Sequence, residues 1–194
     1  MIYLIFILIG AIIGLFPSSY FTNRFFQEKK VNNKIIQMFS SIFIDLLKGA
    51  LIVYIIKFLM DSTFIEIQLS LISGVISHCF FQGFKFQTID GNIFALGGLL
   101  MFIPTISIIW IIIWTISFIY KRNINFSIIS SAFLTGLLSI TSSYILNNDY
   151  WFTHPTADSD IVFKITIGIL FVIIIVSELS NIKAYFGKEK LKDS

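Results

Sequence analysis

The run IFALGGLLMFIPTISIIWIIIWTISFIY, Ile93 to Tyr120, decides how this chain is organised. As one helix its 28 residues would extend roughly 42 Å, against a hydrocarbon core of about 30 Å in a bilayer. Pro104 lies inside it. A proline removes a helix hydrogen bond, so a single tilted, kinked helix competes with two short helices that meet at a turn.

The rest of the chain places that run in a membrane. Of 194 residues, 56% are hydrophobic and only 13% charged, with 22 Phe, and the mean hydropathy is +0.88. A water-soluble domain would expose far too much of this apolar surface. Further apolar runs fall at Ile2 to Phe21, 35–60, 65–84, 126–146 and 161–177, separated by short polar gaps. The first has no preceding charge and no small-x-small closing pattern, so it reads as a retained span and not as a secretory signal. The single cysteine, Cys79, excludes a disulfide framework and a multi-cysteine metal site. No repeat or separate soluble domain is visible, and residues 1–194 read as one integral-membrane domain.

Charge separates the two readings of Pro104. With a turn there the chain has seven transmembrane helices. If the loop after the first span is cytoplasmic, that side collects Arg24, Lys29, Lys30, Lys34, Lys85, Lys121, Arg122, Lys183, Lys188, Lys190 and Lys192, eleven of the 14 basic residues. The outer segments, around Asp61 and Glu66 and from Asn147 to Asp160, carry acids and no Lys or Arg. Six spans would leave only 5 of the 14 within. The expected fold is therefore an all-α polytopic membrane protein with seven spans, two of them short and meeting at Pro104, N-terminus out and C-terminus in. The aromatics of DYWF at 149–152 and of Tyr185–Phe186 fall where interfacial belts are expected.

Two charges interrupt the second span. Asp45 and Lys48, in SSIFIDLLKGALIVYIIKFLM (Ser40 to Met60), are three residues apart and share a helix face. They lie near mid-membrane if the span begins at Ile35, and at the cytoplasmic edge if VNNKIIQMFSS lies along the surface. A structural ion pair pinning one helix to another is one reading of them, and an anion-binding site is the other. Lys57 reads as a snorkelling lysine. His78 ends the third span, and the segment FFQGFKFQTIDGN follows with Gly83, Lys85, Asp90 and Gly91. A glycine-containing loop with a lysine, opening onto a helix N-terminus, can bind phosphate through backbone N–H groups and charge. No HExxH, Ser-His-Asp order or CxxC occurs, which removes support for zinc chemistry and for a serine nucleophile.

The order of these segments resembles the bacterial acyl-phosphate:glycerol-3-phosphate acyltransferases (PlsY type), seven-span enzymes that make lysophosphatidic acid. GLFPSSYFTNR at 14–24 is similar to the family's Gly-Ser-Ile-Pro opening, keeping Gly14 and Pro17. DLLKGAL at 45–51 matches its D-x-x-K-G, with Asp45, Lys48 and Gly49. SGVISHCFF keeps His78, ALGGLLMFIP at 95–104 resembles the helix after the phosphate loop, and NIKAYFGKE at 181–189 resembles the closing Asn-Ile…Gly-x-Glu through Asn181 and Glu189. The family's Ser-Gly-Asn-Ile-Gly-Ala-Thr-Asn stretch is absent. Its Phe-Lys-Gly-Gly-Lys-Gly loop falls on Phe86 to Gly91, where Phe86 and Gly91 agree and Gln87 and Asp90 occupy the lysine positions. Glu178 stands where a histidine is usual, and Ala184 where an arginine is usual.

The resemblance implies acyl transfer from acyl phosphate to glycerol 3-phosphate, or to an altered acceptor, at a bacterial inner membrane. It implies catalytic roles for Asp45, Lys48, His78 and Asn181, and substrate contacts from Lys85, Gly91, Gly49 and Glu189. An acyl phosphate is already activated, so the reaction needs positioning and charge stabilisation and no cofactor. The partners expected are the bilayer and the two phosphate-bearing substrates, with no nucleic acid. A non-catalytic relative acting as a lipid-binding or partner protein is the alternative.

Overall fold

The computed structural model describes residues 2–16, 18, 22, 24, 34–60, 62–81, 91–148 and 155–190. Every regular element among them is helical. In chain order they are α1 (Ile2–Leu15), α2 (Lys34–Tyr54, continued in wider π geometry over Ile55–Leu59), α3 (Phe64–Ile76, continued likewise over Ser77–Phe81), α4 (Gly91–Phe102), α5 (Pro104–Lys121), α6 (Ile124–Thr141), the short α7 (Ser143–Asn147) and α8 (Asp160–Lys190). Four stretches, in α2, α5, α6 and α8, are long and apolar enough to cross a membrane, and α1, α3 and α4 are shorter apolar helices.

Local chemistry explains the ends. Ile103 leaves helical geometry at φ −132° and ψ 80°, and Pro104 occupies the start of α5, where its missing N–H costs nothing. The long run is thus two helices meeting at Pro104, the arrangement that the charge distribution favours. Thr63 and Glu66 form a reciprocal capping box on α3. The Asn123 side chain accepts from Phe126 N at 3.0 Å to cap α6. Arg122, in the left-handed region at φ 49°, closes α5 just before it.

One expectation is corrected, one alternative is decided and one helix extends past its apolar run. The first helix stops at Leu15, short of Phe21, because a residue before proline is pushed out of α geometry and Phe16 precedes Pro17. α2 begins at Lys34 without a break, so Lys34 to Ser41 are the first turns of the same helix as Asp45 and Lys48 and not a segment separate from it. α8 runs to Lys190, beyond the apolar run at 161–177, which falls within its membrane-length stretch Asp160–Leu179. At 31 residues it is about 47 Å long, more than the hydrocarbon core.

The packing is that of a protein dissolved in lipid. Ile12, Ile35, Phe39, Phe43, Ile119 and Ile145 are exposed, whereas Ser70, Ser107, Ser127, Ser131, Thr135 and Gln68 are buried. Water would penalise that arrangement; lipid tails, as apolar as leucine, do not, and helix association rests on close approach and polar bonds. Two glycine seams provide the approach. α2 lies along α4, where a Cβ on Gly49 would strike the Phe94 carbonyl and one on Gly97 the Leu46 carbonyl. α1 lies along α3, with Gly10 against the Ser70 carbonyl and Gly14 against Gly74. Ser70 donates back to the Phe6 carbonyl at 2.7 Å. Trp110 Nε1 donates to Ser131 Oγ at 3.1 Å, joining α5 to α6.

Gly49→Ala or Gly97→Ala will therefore lower stability by about 1–3 kcal/mol, the range for overpacking a filled contact. Gly168→Ala will not, because its Cβ would meet only Ile140 Cδ1 at 3.5 Å. Thermal unfolding of the purified variants in detergent reads the difference.

Candidate functional site

Helix starts and ends converge on one polar cluster: the end of α1, the end of α3 and the start of α4, set against the middle of α2. Pro17 turns Phe16 out of α1, and the Phe16 carbonyl accepts from Lys48 Nζ at 2.7 Å. Lys48 Nζ also lies 3.3 Å from Asp45 Oδ1 and 3.3 Å from His78 Nδ1. Asp45 Oδ1 accepts from the Ser18 hydroxyl at 2.6 Å and faces His78 Nε2 at 3.7 Å. All three principal residues are buried, with relative exposures of 1% for Asp45, 6% for Lys48 and 0% for His78.

Each of the three protons of a lysine ammonium has an acceptor here. A lysine donating to His78 Nδ1 requires that nitrogen to be unprotonated, so the bonding assigns the imidazole proton to Nε2, on the side of Asp45. The π widening over Ser77–Phe81 carries His78 into this position, a register change of the kind often found at functional sites. The Phe94 ring from α4 lies against the cluster. It stacks on His78 at 5.0 Å and 16°, and Lys48 Nζ stands 5.5 Å from its centroid, within cation–π range. The result is an acid and a base that compensate each other's charge away from water, linked to four segments of chain.

A second polar contact lies on the same first turn of α4. Asn92 Nδ2 donates to Glu178 Oε1 of α8 at 2.6 Å, with both residues buried. Beside it, Gly91 leaves the space that Cys79 Sγ fills.

Of the residues expected from sequence, Asp45, Lys48 and His78 come together. Gly49 lies one residue on, against the α4 backbone, and Gly91 lies against the neighbour of His78. Lys85 falls outside the described residues. Asn181 and Glu189 lie on α8, and their side chains also fall outside. Ser18, Phe94 and Asn92 were not singled out from sequence. Ser18 had a signal, since it follows Pro17 in the opening motif; Phe94 and Asn92 had none beyond their place at a helix start.

Comparison with known proteins gives one match. A sequence model of the family described as "Glycerol-3-phosphate acyltransferase" matches residues 35–188. No curated protein and no solved structure matches the chain significantly.

The cluster makes a definite forecast. Asp45→Asn leaves the Lys48 ammonium buried without its countercharge and will cost about 3–5 kcal/mol. Ser18→Ala removes one bond to the carboxylate, about 1.5–3 kcal/mol. Exchanging the charges, Asp45→Lys with Lys48→Asp, will not restore stability, because the Phe16 carbonyl would then face a carboxylate. Unfolding midpoints in detergent, measured on all three variants, check the set.

Proposed function

Because this chain belongs to the glycerol-3-phosphate acyltransferase family, we propose that it transfers an acyl group from acyl phosphate to glycerol 3-phosphate, or to an altered acceptor, as one multi-pass domain in a bacterial inner membrane. The observation that carries this reading is the union of the D-x-x-K-G charges with His78 in one buried cluster beside the start of α4.

The chemistry asks little of a nucleophile. The acceptor hydroxyl oxygen attacks the acyl carbon, the bond from that carbon to the phosphate oxygen breaks, and the hydroxyl proton passes to the departing phosphate. Charge on the oxyanion and on the phosphate must be met by fixed donors. In this proposal Phe16 and Asp45 hold the Lys48 ammonium in place. Its 3.3 Å contact to His78 is the one exchanged for a phosphate oxygen. Asp45 keeps the lysine charged and aimed, and His78 supplies a neutral donor or acceptor at the same point. Lys85 and Asn181 complete the site from the loop before α4 and from α8.

The topology proposed with this function has seven spans, N-terminus out and C-terminus in, which puts the cluster and the basic loops on the cytoplasmic side. A second reading, a non-catalytic lipid-binding or partner protein, has its own support. The ammonium of Lys48 is met in full by the protein, and the family's phosphate-loop lysines are replaced by Gln87 and Asp90.

Turnover separates the two. Purified protein given an acyl phosphate and glycerol 3-phosphate will form lysophosphatidic acid without coenzyme A or added metal. Well-folded protein giving no product with any acceptor selects the non-catalytic reading. The orientation is checked with single cysteines at Thr105, Asn123 and Asn148 in a Cys79→Ser background. An impermeant thiol reagent on intact cells will reach the first and third and spare the second.

A further inference from the structure

We propose that Asn92, turned by Glu178, is the recognition residue for a hydroxyl of the acyl acceptor that is not itself acylated. The proposal rests on the acyl-transfer reading and names what the site selects.

The argument begins with the amide. Glu178 Oε1 accepts from Asn92 Nδ2 at 2.6 Å, and a carboxylate oxygen cannot face the amide oxygen without repulsion. The bond therefore fixes which way the amide is turned. Asn92 Oδ1 is left as a buried acceptor with no hydrogen-bond partner among the described residues. The residue is only 6% exposed, and Glu178 only 2%. Buried carbonyl oxygens are seldom left unpaired, because the desolvation cost is not recovered. This one sits in the first turn of α4, two residues before the Phe94 ring that stacks on His78. An acceptor-only group at that place answers a donor. A phosphate dianion has no proton to offer it, whereas an alcohol does. In a phosphorylated polyol the Lys48 cluster then meets the phosphate chemistry, and Asn92 Oδ1 takes the free hydroxyl. Glu178 is a positioning residue: it acts on the substrate only through the amide it orients.

The measurement is discrimination between two acceptors, glycerol 3-phosphate and 3-hydroxypropyl phosphate, which has the same chain without the middle hydroxyl. The full-length protein in detergent or proteoliposomes, supplied with acyl phosphate, will favour glycerol 3-phosphate by about tenfold or more in kcat/KM, since the analogue leaves the oxygen unpaired. The difference will lie mainly in KM. Glu178→Gln keeps the shape but lets either amide donate to the other, so Asn92 Oδ1 is captured in part; the preference will narrow to about threefold or less. Asn92→Leu will abolish it. If Asn92→Leu does not fold, Glu178→Gln decides alone. Equal rates on the two acceptors from active wild-type protein overturn the proposal and leave acyl transfer standing. So does a Glu178→Gln protein that loses thermal stability and keeps the full preference, which makes the pair a pin between α4 and α8. No product from either acceptor overturns the acyl-transfer reading and this proposal together.

Discussion

The contact on which the site depends is the one between the α2 and α4 backbones. Gly49 lies against the Phe94 carbonyl and Gly97 against the Leu46 carbonyl, so the two helices meet main chain to main chain. Any larger residue would hold them apart. That distance sets where Phe94 stands relative to Lys48 and His78, and it brings Asn92 to α8. In water, burial of large apolar side chains would supply much of the drive for such packing. In lipid those side chains gain nothing by turning inward, and the glycine seams with their hydroxyl-to-carbonyl bonds carry the association.

The buried charges fit the same logic. An isolated ion in the hydrocarbon region is costly, and the structure answers with a neutral pair: a carbonyl and an imidazole meet the remaining ammonium protons, and a hydroxyl donates to the carboxylate. The carbonyl is available because Pro17 breaks α1 at that point. The imidazole arrives because α3 widens at Ser77. A proline and a π turn, each unfavourable in a plain helix, thus supply the partners that let Asp45 and Lys48 remain inside. In the proposed reaction the same atoms do the work, since a cluster that holds a lysine in a fixed place would hold its charge ready for a phosphate.

Much of this was legible in the sequence. Helix positions followed from the apolar runs, the break at Pro104 from the excess length of one run together with the distribution of basic residues, and the meeting of Asp45 and Lys48 from their spacing. His78 was placed by the ordered motifs, and the family they resemble is the one whose model matches residues 35–188. Other features had no local signal. The early stop of α1 depended on weighing Pro17 above the apolar residues that follow it. The unbroken start of α2 at Lys34 set continuous helical bonding against polar residues that also suit a surface segment. The Asn92–Glu178 bond joins positions 86 apart, and no periodicity or spacing carries information over that separation. Glu178 drew notice only as a departure from an expected histidine, and its partner was visible only in three dimensions.

The junction of α5 and α6 has a consequence for the path of the chain. Only Arg122 and Asn123 separate Lys121 from Ile124, and both are committed, one to a left-handed backbone and the other to a cap. Two residues cannot cross a bilayer or wander along its surface. The two helices therefore form a hairpin, and where one crosses a bilayer the other returns through it, with Pro104 and Thr141 on the same face. The direction of one helix relative to the other is thereby set by the junction itself and does not depend on how the remaining helices pack.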